Sequence, residues 1–382
     1  MNQAYFSYFT LFFYYAMAIV LALMVKKIKG RGLHYSSKNN NLEYCSMFLL
    51  LLCFAVFRKV GINIGGADSV MYEQNFIHAL TFRSRFDESD VGFGFFMKII
   101  RYFTDSVFIF RVICYSLIAG AYVLFIKYLC PKGVSSIPFL ILIWPYIKSF
   151  NTMRNSMAIA VFLLGIILLY KEKKLWGVVL ILLSAFVHRM SIIYVPIIPF
   201  IYLFRTKINK LSGKQLIICC IIVATIGCIL ARLLQSYIIS NSLLDSDSTA
   251  DSHYIQKTVG GGILDSWPML FPHLLLLIGM GIFSNRLPKV GLVKYIKVLV
   301  TYDMMILPPA LLLGMWRASE YLYISSVIMW SILIPIICQL VDKPAKYMVR
   351  IIFTISFIFL LYIRFSHEWE ECKIMPYLFY WT

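Results

Sequence analysis

Apolar residues fill twelve stretches of this chain, at about 4–25, 42–57, 106–129, 134–150, 153–170, 175–187, 190–204, 215–238, 267–283, 298–316, 320–341 and 347–365. Polar residues cluster between them. At ~1.5 Å of rise per residue most of these runs suit a helix crossing the ~30 Å hydrocarbon layer. The alternating short segments of a transmembrane barrel are absent. The pattern predicts an all-α polytopic membrane protein of about 12 transmembrane helices, some short or broken, in one integral membrane domain over residues 1–382. The first run has no cation before it and no small-residue cleavage pattern after it, so it reads as a retained span. No internal repeat stands out.

Two connections are long. Residues 58–105 carry a glycine turn (Gly65, Gly66), then Asp68 and Ser69 as a helix start with Asp68 as its cap. Val91 to Phe103 follows as an amphipathic piece expected along the membrane interface. Residues 239–266 are polar, aspartate-rich and glycine-bearing, and read as a mobile flap.

Charge orients the chain. The connections Lys26–Lys38, Lys127–Lys132, Lys171–Lys174, Arg205–Lys214, Arg286–Lys297 and Lys343–Arg350 hold 21 of the 36 Lys and Arg residues. Most acids fall in the alternate connections, Asp68–Asp105 and Asp245–Asp265, and in the tail Glu368–Glu371. By the positive-inside rule the cationic connections are cytoplasmic and both termini face outward. The net charge of +18 is thereby an orientation signal, and no nucleic-acid partner is needed to explain it. Composition agrees with a chain dissolved in lipid: 60% of residues are hydrophobic, 14% are charged, and mean hydropathy is +0.79. Nine cysteines are scattered, mostly within apolar runs, in no metal or disulfide spacing.

The chemistry concentrates between Asn151 and Phe204. Two apolar runs flank a cationic bend at Lys171, Lys173 and Lys174, with Arg154 at the far end of one and His188 at the far end of the other. The separations correspond to ~28 and ~23 Å of helix, so a hairpin returns both side chains to one outward boundary. Residues 175–204 must cross twice, with a break at His188-Arg189, or the charge alternation fails. Irregular backbone there has to line a cavity or be covered by protein. A histidine titrates near neutrality and suits a proton acceptor; the competing reading is a packed, hydrogen-bonded ring. For Arg154 the competing reading is snorkelling to headgroups, disfavoured because cations are otherwise scarce at outward helix ends.

Arg317, in MWRASEY, adds an outward cation, with Glu320 as a structural partner in the competing reading. Arg111 and Arg232 could join the same patch. Asp68 serves as a cap or holds a sugar hydroxyl. Asp303 is an acid deep inside a span, where an ionisable group is costly and pairs with a neighbouring helix. Several outward arginines beside a base suit a membrane-anchored diphosphate, since guanidinium forks match phosphate oxygens. No acid pair, His/Cys spacing or P-loop points to a metal, nucleotide or other cofactor.

These residues lie in stretches that resemble the EpsG-type, Wzy-like polysaccharide polymerases of bacteria. The similar stretches are GGADSVMY, VGFGFFMKI, NTMRNSMAIA, LLSAFVHRMSIIYVPI, MWRASEY and the C-terminal IMPYLFY, in order from about residue 60 to 380. The chain departs at Asn155, where the family often has Gln, and at Arg189, where a small or polar residue is common. The resemblance implies a C-type-glycosyltransferase-like architecture in the bacterial cytoplasmic (inner) membrane, without a nucleotide-sugar donor. It implies joining of undecaprenyl-diphosphate-linked oligosaccharide repeat units on the outer face, into O-antigen of lipopolysaccharide, capsule or exopolysaccharide. Arg154, Arg189 and Arg317 would hold the diphosphate, with Asn155, Tyr72 and Tyr321 as further diphosphate or sugar contacts. His188, or else Asp68, would take the proton of the attacking hydroxyl. A chain-length regulator and a flippase are the implied partners beside the lipid bilayer. The alternatives are a lipid-linked oligosaccharide flippase, which should show repeated halves and mid-membrane cations, and a membrane O-acyltransferase, which needs a cytoplasmic acyl-donor path.

Overall fold

The hydropathy pattern becomes helices almost segment for segment in the computed structural model, which describes residues 8–29, 40–61, 65–66, 68–81, 90–242 and 267–372. Among these residues the regular elements are all helical: α1 Tyr8–Lys29, α2 Asn41–Val56, α3 Ser69–Ile77, α4 Val91–Phe103, α5 Val107–Leu129, α6 Ile143–Lys148, α7 Met153–Tyr170, α8 Lys174–Val187, α9 Ile197–Lys210, α10 Gly213–Ser242, α11 Trp267–Ile282, α12 Gly291–Leu312, α13 Tyr323–Gln339 and α14 Lys343–Cys372. Seven helical segments are long and apolar enough to cross a membrane: Tyr8–Lys29, Val107–Leu129, Met153–Tyr170, Arg189–Lys210, Gly213–Tyr237, Gly291–Leu312 and Lys343–Ser366. Five shorter apolar helical stretches accompany them.

Four boundaries differ from the hydropathy reading. The 134–150 run is broken: Ile137–Leu142 is 3-10 helix and only α6 follows, both buried. Pro138 and Pro145 withhold backbone N–H groups there, and irregular backbone inside a membrane protein has to be enclosed by it. Helix α12 starts at Gly291, so the basic GLVKYIK is helical. It also stops at Leu312, ahead of a turn with Gly314 at φ 72°. The flap 239–266 is helix as far as Ser242, and its remainder lies outside the described residues, as does IMPYLFY.

The chain divides into two compact units, Met1–Ile192 with Ile337–Thr382, and Ile193–Ile336. In the first, α7 and α8 form the central hairpin. Its bend is a tight helix stop, with Lys173 N–H reaching Leu168 C=O at 2.9 Å while Glu172 takes φ 59°. The helices close at glycines: a Cβ on Gly165 or on Gly177 would stand 3.0 Å from the other's carbonyl oxygen. Backbones that approach this closely gain dispersion contacts, which replace the hydrophobic effect as glue inside lipid.

Arg58 organises the upper part of this unit. It is fully buried, donating to Gly65 C=O (3.1 Å), Ala55 C=O (2.5 Å) and Tyr115 Oη (2.9 Å), with its guanidinium 4.5 Å from the Phe150 ring centroid. The glycine turn is as expected, with φ of 74° at Gly65 and 112° at Gly66. Gly66 lies so close to the Phe150 carbonyl that no side chain fits.

In the second unit α12 is buried along most of its length and packs against α9, α10 and α11. The described cysteines are free thiols.

Candidate functional site

The α7–α8 hairpin brings its two distal ends together, and the residue joining them is Asp90. Helix α8 stops at His188, which turns extended (φ −149°, ψ 120°) before a 3-10 turn at Arg189–Tyr194. Helix α7 starts at Met153, placing Arg154 in its first turn. Asp90 precedes α4, and Gly92 lets that helix start lie on the end of α8. A Cβ at Gly92 would fall 2.6 Å from the Phe186 carbonyl oxygen.

The Asp90 carboxylate is filled by three donors. His188 Nδ1 lies 2.8 Å from Oδ1, the Arg189 backbone N–H donates to Oδ1 at 3.0 Å, and Arg154 Nη1 lies 2.5 Å from Oδ2. The side chains of Asp90 and His188 are 1% and 3% exposed, and that of Arg154 is 14% exposed. Burial alone would raise the Asp90 carboxyl. The hydrogen bond from His188, the Arg154 charge, the His188 charge and the Arg189 N–H outweigh it and hold the carboxyl below its ordinary value. The site thus pairs an anion with a guanidinium and fixes an imidazole through Nδ1, which makes Nε2 the basic nitrogen.

The backbone of Asp90 starts α4, accepting from Phe93 N–H (3.0 Å) and Gly94 N–H (3.2 Å), while its side chain makes no cap. Asp68 is similar: α3 does begin after it, but its carboxylate makes no capping hydrogen bond, which corrects the cap expectation. Instead the Asp68 N–H donates to Asn151 Oδ1 at 2.7 Å, and Ser69 Oγ donates to the Phe150 carbonyl, tying GGADS to the start of NTMRN.

The remaining sequence candidates are distributed as follows. Arg189 is exposed; Asn155 is fully buried; Tyr72 is buried with its ring edge-on to Phe93 at 5.7 Å. Arg111 is occupied by Glu73, with Nε to Oε1 at 2.6 Å, and joins the structural layer around Arg58 rather than an open cationic patch. Arg232 meets Gln235 on its own helix.

Arg317 and Tyr321 belong to the second unit, Arg317 in the 3-10 helix Trp316–Glu320 and Tyr321 buried with its ring stacked on Tyr194 at 4.8 Å. Asp303 finds its partners there too. Tyr194 Oη lies 3.0 Å from Asp303 Oδ1 and 2.7 Å from Ala318 C=O, and His273 Nε2 lies 3.5 Å from Asp303 Oδ2.

Sequence reasoning missed Asp90 and Arg58. Asp90 closes an acidic run, DESD, in which no single residue stands out; the signal available was the glycine pair in VGFGFF directly after it, marking a helix start that closely approaches another backbone. No group of three or more His, Cys, Asp or Glu residues able to hold a metal occurs among the described residues.

No curated protein and no solved structure matches the chain. The EpsG family matches it over residues 41–379, most of its length; with its apolar helices and the Asp90–His188–Arg154 cluster at the end of one hairpin, the chain belongs to the EpsG family.

Proposed function

We propose that this protein is a membrane glycosyltransferase that polymerises lipid-diphosphate-linked oligosaccharide units on the outer face of the bacterial cytoplasmic membrane. The observation that carries the proposal is the single carboxylate of Asp90 holding both His188 and Arg154 at the hairpin end opposite the lysine bend. In this reading the seven long helices and the five shorter ones all cross, giving twelve spans, and the lysine bend faces the cytoplasm.

The reaction follows from the three groups. A sugar hydroxyl of the incoming unit attacks the anomeric carbon of the growing chain. The bond from that carbon to the diphosphate oxygen breaks, and the lipid diphosphate leaves with its electron pair. His188 Nε2 takes the hydroxyl proton; Asp90 holds the ring in the tautomer that can do so and balances the imidazolium that forms. Arg154 presents a guanidinium fork that matches phosphate oxygens, and it stabilises charge on the leaving diphosphate together with the exposed Arg189. Arg317, on the second unit, contributes on the strength of the family resemblance alone. Cleavage of the bond to the diphosphate supplies the driving force, so the proposed reaction calls for no nucleotide-sugar donor. An undecaprenyl carrier, a flippase and a chain-length regulator complete the setting.

The test is the surface-polysaccharide gel of a strain lacking the protein, complemented with variants. Loss of a polymerase leaves a single repeat unit; loss of a flippase leaves none; loss of an acyltransferase leaves full-length chains. His188→Gln and Arg154→Ala should give the single-unit pattern at normal protein level, since general-base help is worth ~10²–10⁴-fold. Arg154→Lys should recover little, because an ammonium cannot form the fork. Long chains in His188→Gln would remove the base assignment.

A further inference from the structure

A second polar site lies in the Ile193–Ile336 unit and shares no residue with the Asp90–His188–Arg154 cluster. It is a pocket of roughly 500 Å³ between the ends of α9 and α11 and the starts of α10 and α12. Its lining includes four lysines, Lys210, Lys289, Lys294 and Lys297, together with Asn209, Ser212, Ser284 and Asn285, and no acidic residue.

Surface lysines near a cytoplasmic boundary are ordinary. Lys297 is not. It stands nearly two turns inside α12 and is 6% exposed, yet no carboxylate or other acceptor meets its ammonium among the described residues. Its stem is enclosed and its side chain lines the pocket, so an anion bound there would meet a charge that the protein leaves uncompensated.

The backbone around it favours an anion as well. Two long helices begin at the pocket. At α10 the first turn is closed by Ser212 and Gln215, with Ser212 N–H donating to Gln215 Oε1 at 2.9 Å. At α12 the N-cap is Val290, which makes no side-chain cap, and Val293 and Lys294 of the following turn line the pocket, so the positive end of the helix dipole lies beside it. The helix starts are held by close packing: no Cβ fits at Gly213, because the Gly281 carbonyl occupies that space.

We infer that this pocket binds a phosphate-bearing anion, either the headgroup of an anionic phospholipid or a soluble phosphate, with Lys297 as the buried charge beneath it. The site is independent of the polymerase reading.

The experiment is thermal unfolding of the purified full-length protein in detergent micelles. Phosphatidylglycerol is compared with phosphatidylcholine, and inorganic phosphate with chloride at equal ionic strength. Near-saturating ligand should raise the wild-type Tm by ~5 °C, and Lys297→Met should lose that rise. A rise with phosphatidylglycerol alone assigns the headgroup; a rise with phosphate as well assigns a soluble anion. Should Lys297→Met fail to fold, the double variant Lys289→Gln with Lys294→Gln, at exposed positions, should lose at least half of it. The inference is overturned if neither probe exceeds its control in wild type, or if both variants keep the full rise.

Discussion

Each unit of the protein buries one aspartate against a histidine, and the two are built differently. Asp90 faces a guanidinium, an imidazole Nδ1 and a backbone N–H, at 2.5, 2.8 and 3.0 Å. Asp303 faces a phenol oxygen at 3.0 Å and an imidazole Nε2 at 3.5 Å. The first environment selects for negative charge: remove the charge and the ion pair with Arg154 is lost. The second has a hydrogen bond from the Tyr194 phenol to Oδ1 and an imidazole that stands near Oδ2 without bonding it, and an amide of the same shape can keep the phenol contact. A buried acid beside a histidine is therefore not enough to mark a reactive centre. The guanidinium is what separates a charged, poised arrangement from a packing one.

The sharpest way to break this distinction is a pair of amide substitutions. Asp90→Asn should lower polymer formation ~10²-fold or more, because the amide can orient the ring but cannot balance an imidazolium. Asp303→Asn should stay within a few-fold of wild type. Purified protein given lipid-diphosphate repeat units, with products sized on gels, reads both; equal losses would erase the difference between the two acids.

A smaller effect is expected from two glycine substitutions. Gly92→Ala drives a Cβ to 2.6 Å from the Phe186 carbonyl oxygen, a backbone atom that cannot step aside. It should cost ~1–3 kcal/mol of stability and part of the activity, through a displaced Asp90. Gly279→Ala in α11 meets only the Leu333 Cδ1 at 3.2 Å, the end of a flexible side chain. Its helix preference offsets the crowding, so its Tm should stay close to wild type. Denaturation of each variant in the same detergent makes the comparison, and a neutral Gly92→Ala would mean that α4 does not depend on this close approach.

The smallest effect is on pH dependence. The folded Asp90 carboxyl lies below its ordinary value, so its stabilising contribution is fully present above the unfolded carboxyl pKa of ~3.9 and is lost as pH falls through the lower folded value. The stability gap between wild type and Asp90→Asn should hold from neutrality down to about pH 4 and shrink below it. A gap that closed near neutrality would assign the titration to another group.

The helices and the break at the end of α8 were legible because they are written in hydropathy. The break at His188 could be placed to the residue, since only there does a long apolar run carry a His-Arg pair. The convergence of Arg154 and His188 followed from counting residues to the bend. Asp90 was not legible for a physical reason: its role depends on a long-range contact across 98 residues, and within its own loop it is one acid of several. The same holds for Arg58, a loop cation by sequence whose burial comes from Tyr115 and Phe150 closing over it. Segments declare themselves locally, whereas partners depend on how segments meet.

Helix α4 buries Phe93, Met97 and Ile100 while leaving Val91, Phe95, Ile99 and Tyr102 exposed along its other side. On the proposed orientation that apolar stripe floats at the lipid boundary, and Asp90, proposed to position the base, is moored to one end of the float. On that reading bilayer thickness would become a variable of the proposed reaction: acyl chains that raise or lower the boundary by a few ångströms would tug on the carboxylate, so chain elongation would respond to lipid length as well as to substrate supply.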